Sequence, residues 1–475
     1  MTLIQLQECT SKICCQIPPP SGLSKPSNAK QEIKQDPGLV YQELYDSVLW
    51  LPINILNVTL DVWSHLSGKP KMPSWNLQTT ARVGLIQALR DQSCQKSIGF
   101  WRMVLNHLPA FLCLIPSYRP TIQDGSFYCA KQNLPGILSE IDQEDEAGTR
   151  IMSAEWVSTE NEDYDRKTKK KNKNKKKDEE EEDTLTKKTK RLFWSIVSFS
   201  LPSLSQRLDT RPTRTQARPD EKIILYIHGG GFYSMSAQTH RSVTCALSKV
   251  TKRRVFAVNY RLSPENRFPA ALCDVVQSYL NLINGSSQGS FDPKNIFVAG
   301  DSTGAGLCLA MMLYLRDHGV PCPEGAILLS PCVDLTYRHS VWNETVVNNV
   351  FVPRSEIPGT LNPAIHYLGP DDLHRFGRHP YVSPLYADHF EHLPPLLIQS
   401  GAVESLQTEI TELVYRLKTA KTTRIQHEVY EDMLHVFQSY SFQQSPSGME
   451  SIGWWVNTGI PLLDKWQSSR VTRRN

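Results

Sequence analysis

The sequence predicts an α/β fold, a mostly parallel central sheet flanked by helices, and three observations carry that expectation. The runs EKIILYI at Glu221–Ile227 and NIFVAG at Asn295–Gly300 are short, apolar and β-branched, so they read as strands buried on both faces. The second breaks at glycine and is followed by an apolar helical stretch, AGLCLAMMLYLRDHG, which ends at a helix-stop glycine, Gly319. Four short strings then fall in a set order: HGGGF at His228–Phe232, GDSTG at Gly300–Gly304, GAVESL at Gly401–Leu406 and DMLHVF at Asp432–Phe437.

Strand, tight turn and helix around Gly300-Asp301-Ser302-Thr303-Gly304 is the context of a nucleophile elbow. Small residues at Gly300 and Gly304 let strand and helix approach, and Ser302 projects from the strand end. A serine hydroxyl is a weak nucleophile without a base, so a histidine is required. A plain Gly-Ser-Gly loop between strand and helix is the bland alternative.

The glycines after the strand at Glu221–Ile227 have two readings. A phosphate loop needs a following Lys-Ser/Thr or a GxGxxG spacing, and neither is present. The other reading is an oxyanion hole. The backbone N–H groups of Gly229, Gly230 and Gly231 are its candidate donors, and the Thr303 N–H adds another. His228 precedes the glycines and reads as a loop brace rather than a base.

Oxyanion glycines, serine, acid and histidine in this order resemble the α/β-hydrolase fold. Further stretches extend the resemblance to its hormone-sensitive-lipase-like branch, similar to fungal steryl acetyl hydrolases and related carboxylesterases. They are NYRLSPENRFPAAL at Asn259–Leu272, GAILLSPCVDLT at Gly325–Thr336, HPYVSPLYAD at His379–Asp388 and LPPLLIQSG at Leu393–Gly401. The likeness runs from about Pro73, or at least Ala154, to about Trp466. Thr303 stands where the family commonly has alanine, and its added hydroxyl and methyl are expected to narrow the pocket. Met433-Leu434 replaces the usual glycine- or proline-containing turn, an expected small shift of that loop.

The family places an aspartate where this chain has Glu404, and the fold accepts glutamate. Glu409, one turn later, and Asp432, close to the histidine, are rivals. Glu409 reads as a helix-face charge and Asp432 as a loop-stabilising residue. Among thirteen histidines, His435 is singled out by its place after the acid string. The resemblance gives it the role of accepting the Ser302 proton and returning it to the leaving alcohol.

With 475 residues and 40% hydrophobic content, one hydrolase core plus an N-terminal extension is expected. The expected parts are a disordered 1–37, a helical cap region at 38–150 and a catalytic domain at 151–470 with a disordered charged insertion at 160–191. The run Arg166–Arg191 has thirteen basic and six acidic residues, a net of +7 in a chain of +4. The remainder has no basic bias, so no nucleic-acid partner is expected. The run itself reads as a solvated linker, with a nuclear-localisation patch or a tether to anionic lipid as sharper alternatives. The apolar stretch after it, Leu192–Leu204, suits either a membrane surface or the core.

No basic n-region with an apolar h-region opens the chain, so no secretory signal peptide is expected. Apolar stretches at Tyr45–Trp63 and Phe100–Tyr118 are interrupted by polar residues and prolines and read as cap helices. Peripheral membrane or lipid-droplet contact is an alternative for them. The expected location is cytoplasmic or peripheral to the endoplasmic reticulum membrane. Eleven cysteines without a C-x-x-C pair point to reduced thiols and no zinc site; Cys14-Cys15 is a weak acylation candidate. Sequons start at Asn57, Asn284 and Asn343.

The resemblance implies a cofactor-independent serine ester hydrolase acting on apolar small-molecule esters of short-to-medium acyl chains or apolar alcohols, including steryl acetates. A non-catalytic small-molecule receptor or a lipid-surface interaction protein on the same fold is the competing expectation. Oligomeric state is not legible.

Overall fold

Residues 223–227 are bulky or β-branched and every one is buried, as a strand covered on both faces demands. They lie in the middle of a sheet that has eight strands among the described residues. The computed structural model describes residues 43, 51–93, 96–112, 120–144, 147–159, 220–285, 289–336, 338, 362–420, 424–440 and 442–462.

The first long helices among the described residues are α1 (Leu51–Leu66), α2 (Leu77–Ser93) and α3 (Ile98–Leu112). Next come β1 (Thr121–Asp124), β2 (Phe127–Ala130), α4 (Ser139–Glu144), β3 (Ala147–Met152) and β4 (Ala154–Ser158). The alternating part follows: β5 (Ile223–Ile227), α5 (Arg241–Thr251), β6 (Arg254–Val258), α6 (Ala270–Asn284), β7 (Ile296–Asp301), α7 (Ser302–Asp317) and β8 (Gly325–Leu329). Two short helices, α8 (Pro363–Leu368) and α9 (Leu373–Phe376), precede β9 (Leu396–Gly401), α10 (Gln407–Thr419), β10 (Ile425–Tyr430) and α11 (Ser445–Trp454).

The strand order is β1-β4-β6-β5-β7-β8-β9-β10, with β2 and β3 in a separate two-stranded sheet. Strands β6 to β10 and β5 pair in parallel; β4 and β1 add antiparallel to one edge. The sheet therefore takes its first strand from residues 121–124, inside the stretch expected to be helical cap. Phe127, Leu138 and Ile141 from the same stretch pack into the main core. The boundary at 150 is thus not where the sheet begins: β1 pairs with β4 along its whole length.

Alternation along the strands divides the core. Leu225, Ile227, Val298 and Leu328 face α6, α7 and α10, while Ile224, Tyr226, Phe297 and Ile327 face α5 and α11. Both faces are covered, as a parallel sheet requires.

Register sets the site. Ile227 pairs with Gly300, Asp301 with Leu329, and Tyr430 with Gly401. The four strings follow the carboxyl ends of β5, β7, β9 and β10, and parallel pairing brings those ends to one edge of the sheet.

The N-terminal helices lie on the loops at that edge. Helices α1 and α2 pack together, with His65 Nδ1 2.8 Å from Thr80 Oγ1 and Lys71 Nζ donating to Asp61 at 2.6 Å. Trp75 and Val83 pack against Met433, Leu434 and Phe437. From α3, Ile98, Phe100 and Trp101 pack on Tyr233, and Arg102 clasps Glu265 at 2.6 and 2.7 Å while donating to the Tyr233 and Ser263 carbonyls. Among the described residues no helix is long and apolar enough to cross a membrane. Residues 1–37, the insertion at 160–191, Leu192–Leu204, Cys14-Cys15 and Asn343 lie outside the described residues.

Candidate active site

β7 ends at Asp301 and α7 starts at Ser302, and the turn between them holds Ser302 at φ 52°, a left-handed conformation that is costly for a side-chain-bearing residue. The turn is possible because helix and neighbouring strand nearly touch. A Cβ on Gly304 would lie 2.2 Å from the Ile227 carbonyl oxygen and 2.4 Å from that of His228. Ser302 is thereby fixed at the strand end.

Its Oγ lies 2.9 Å from His435 Nε2, and His435 Nδ1 lies 3.1 Å from Glu404 Oε2. Glu404 is 4% exposed and His435 7%. The other carboxylate oxygen, Oε1, has no hydrogen-bond partner among the described residues. A buried carboxylate costs free energy unless its partners offset it. Among the described residues the single side-chain partner is the imidazole, an arrangement able to orient His435.

The structure separates the rival acids from this chain of contacts. Glu409 is fully buried and its Oε1 accepts the Val333 N–H at 2.9 Å, so it is not the solvent-facing helix charge that the sequence suggested. The first turn of α10 faces the loop after β8, and burial follows from that packing. Asp432 Oδ2 accepts the Ser74 N–H at 3.0 Å, a loop-stabilising contact.

The donor set differs from the expectation at one position. The Gly229 N–H donates to Asp301 Oδ1 at 3.0 Å, which removes it from the candidate oxyanion donors. A Cβ at Gly229 would sit 2.3 Å from Asp301 Oδ2, so glycine is needed there for contact with that carboxylate. Gly230 takes φ 116°, open only to glycine, and its carbonyl accepts the Tyr233 and Ser234 N–H groups. Among the described residues the N–H groups of Gly230, Gly231 and Thr303 have no protein acceptor. Thr303 itself is 2% exposed, and its buried hydroxyl has no hydrogen-bond partner among the described residues.

Behind the glycines lies a polar group that the sequence reading passed over. Asp301 Oδ1 accepts the Tyr226 hydroxyl at 2.6 Å, and Oδ2 lies 3.3 Å from His240 Nε2. His240 Nδ1 lies 3.0 Å from the Ser236 carbonyl oxygen. With an acceptor facing each ring nitrogen, His240 is suited to carry both protons. Burial disfavours both charges, yet the pair holds Asp301 below and His240 above the ordinary value. His228 is the contrast. Burial, then the nearby His240, lowers it to about 3, and the neutral ring stacks on Tyr260 at 4.4 Å with Nδ1 donating to the Gly229 carbonyl at 2.7 Å. It braces the loop, as the sequence suggested. The only sequence signal for the Asp301–His240 pair was an acid at the end of an otherwise apolar strand.

His240→Ala is expected to destabilise the fold by about 3–5 kcal/mol near pH 6, because it leaves a buried carboxylate without its cation. The raised His240 contribution is fully present below its unfolded value of 6.5 and is lost as pH rises through the folded value. The Asp301 contribution runs oppositely, present above 3.8 and lost as pH falls through its lowered value. Urea unfolding of both proteins across pH checks this; the gap should narrow as pH rises above neutral.

Fold and site together define an ester hydrolase of the α/β class. Residues 224–439 match the family model described as alpha/beta hydrolase fold. An acetyl-hydrolase of Streptomyces hygroscopicus is 35% identical over 224 residues, covering 47% of this chain and 71% of that protein. An esterase of Acinetobacter venetianus is 32% identical over 220 residues, covering 46% and 69%. The crystal structure of an esterase from the bacterial hormone-sensitive lipase family superposes with a TM-score of 0.53 at 25% identity, covering 80% of this chain and 97% of that one. The chain belongs to the alpha/beta-hydrolase family, in its hormone-sensitive-lipase-like branch.

Proposed function

We propose that the chain cleaves carboxylic esters through an acyl-enzyme on Ser302, with His435 as the base and Glu404 as its orienting acid. The observation that carries this reading is the contact chain of 2.9 and 3.1 Å from Ser302 through His435 to Glu404. Ser302 Oγ attacks the ester carbonyl carbon while its proton passes to Nε2. The carbonyl oxygen, now an oxyanion, is held by the Gly230, Gly231 and Thr303 N–H groups. Collapse expels the alcohol, which takes the proton from His435. Water then attacks the acyl group, giving its proton to the same nitrogen, and the acid leaves as Ser302 is restored. No cofactor enters any step.

The flanking side chains support apolar esters of short-to-medium acyl chains. Phe232, beside the oxyanion glycines, stacks on Tyr367 at 3.9 Å, and Tyr233 packs among Phe100 and Trp101. A receptor that only binds would not need a histidine placed on the serine hydroxyl. Hydrolysis of a p-nitrophenyl ester chain-length series tests the reading; binding of the esters without turnover would support a receptor instead.

A second observation favours contact of this enzyme with a lipid surface. Leu56, Leu60, Trp63 and Leu66 recur on one face of α1, and each is more than half exposed. Lys69, exposed at its end, suits anionic headgroups. The double variant Leu60→Ser/Trp63→Ser is expected to pellet less with phosphatidylserine vesicles while p-nitrophenyl acetate hydrolysis holds. Equal pelleting would discard the surface.

A further inference from the structure

The turn that carries His435 is strained on both sides of the histidine. Asp432 takes φ 59° and Val436 φ 50°, and neither is glycine. A β-branched residue in this region is an outlier that persists only when its surroundings hold it. The expected shift at Met433-Leu434 thus resolves differently: those two are buried anchors, and the irregular backbone flanks them.

Two sets of contacts hold the turn. One belongs to the sheet: the Val436 N–H donates to Ser330 Oγ at 3.0 Å, and Gly401 has no room for a side chain because its Cβ would lie 2.1 Å from the Met433 carbonyl oxygen. The other comes from the segment between α1 and α2. The Ser74 N–H donates to Asp432 Oδ2 at 3.0 Å, and Trp75 Nε1–H donates to the Asp432 carbonyl at 2.8 Å. Trp75 is 4% exposed, wedged against Met433, Leu434 and Phe437. This segment lies outside residues 224–439, which match the family model.

We infer that Ser74–Trp75 is a positioning element for His435, a strap from the N-terminal region that offsets the strain at Asp432 and Val436 and holds the imidazole on Ser302. The inference rests on the reading of His435 as the base. Both contacts grip residue 432, three positions before the histidine, so their loss frees the turn on that side without touching substrate. An imidazole displaced by a fraction of an ångström still permits binding, but it meets the serine proton poorly.

Trp75→Phe keeps the aromatic bulk and removes the N–H. It is expected to lower kcat by about 10- to 100-fold with KM within about twofold of wild type. Val436→Gly, which removes the strain, is expected to restore most of that kcat when added to Trp75→Phe. Asp432→Ala removes the Ser74 acceptor with Trp75 intact. It should show the same kcat-only loss and the same rescue, and it carries the test if Trp75→Phe does not fold. Wild-type kcat in a folded Trp75→Phe or Asp432→Ala protein, or a loss that Val436→Gly does not relieve, would overturn the strap. His435→Ala is the control for the reading beneath it. Activity surviving in that variant rejects His435 as the base, whereas an inactive His435→Ala beside a fully active Trp75→Phe rejects the strap alone.

Discussion

Ser302→Ala is expected to cut kcat for p-nitrophenyl esters by on the order of 10⁴- to 10⁶-fold while leaving the thermal transition close to that of wild type. In the proposed mechanism the hydroxyl oxygen forms the acyl bond, and no other hydroxyl is within hydrogen-bond distance of His435 Nε2 among the described residues. Removing it costs the fold little, because alanine relaxes the strained φ of 52° no worse than serine does and the elbow is held by Gly304 against β5. Residual hydrolysis should come from the Gly230, Gly231 and Thr303 donors, which polarise a bound carbonyl without a nucleophile. A fluorophosphonate probe should label wild type at Ser302 and leave the alanine variant unlabelled. Labelling that persists in Ser302→Ala would place the nucleophile elsewhere.

Glu404→Gln should be nearly as severe, on the order of 10⁴-fold in kcat with the geometry kept. The carboxylate accepts from Nδ1–H, which leaves Nε2 free to take the serine proton. An amide that turns its NH2 toward Nδ1 stabilises the other tautomer, and the base is then already protonated on the wrong nitrogen. It also supplies no negative charge to the imidazolium that forms. The rival acids should behave differently for reasons visible in their contacts. Asp432→Asn keeps an acceptor for Ser74 and should lose less than about tenfold. Glu409→Gln keeps an acceptor for Val333 and should register mainly in stability. A larger kcat loss for Asp432→Asn than for Glu404→Gln would reverse the order of acids.

Much of this was readable before any coordinates. Buried strands announce themselves through β-branched runs such as Ile223–Ile227, because burial on both faces leaves no place for polar residues. Elbow and oxyanion loop announce themselves through glycines, because close backbone approach excludes every other residue. These are local demands, and they leave local traces in the order of residues.

Partner choice is a different kind of question. Gly229 belongs to a triple-glycine string like its neighbours, yet its N–H serves Asp301. Glu409 has the pattern of a surface charge, yet it caps a buried loop amide. Asp301 and His240 lie 61 residues apart in the chain and meet only in the folded protein, at the end of β7 and just before α5. None of these assignments depends on neighbours in sequence.

The sequence by itself determined the fold class, the strand-turn-helix elbow at Ser302 and the order of the four strings, since strand patterning and steric need are written in neighbouring residues, while the choice of Glu404 and His435 came from the family resemblance. Only the tertiary structure decided which glycine N–H groups face the site, that the sheet begins at β1, and that Ser74 and Trp75 reach across the fold to Asp432. The reason is physical: hydrogen bonds and packing between distant segments depend on register and on the distance between element ends, and parallel pairing at one sheet edge sets both after the local elements have formed.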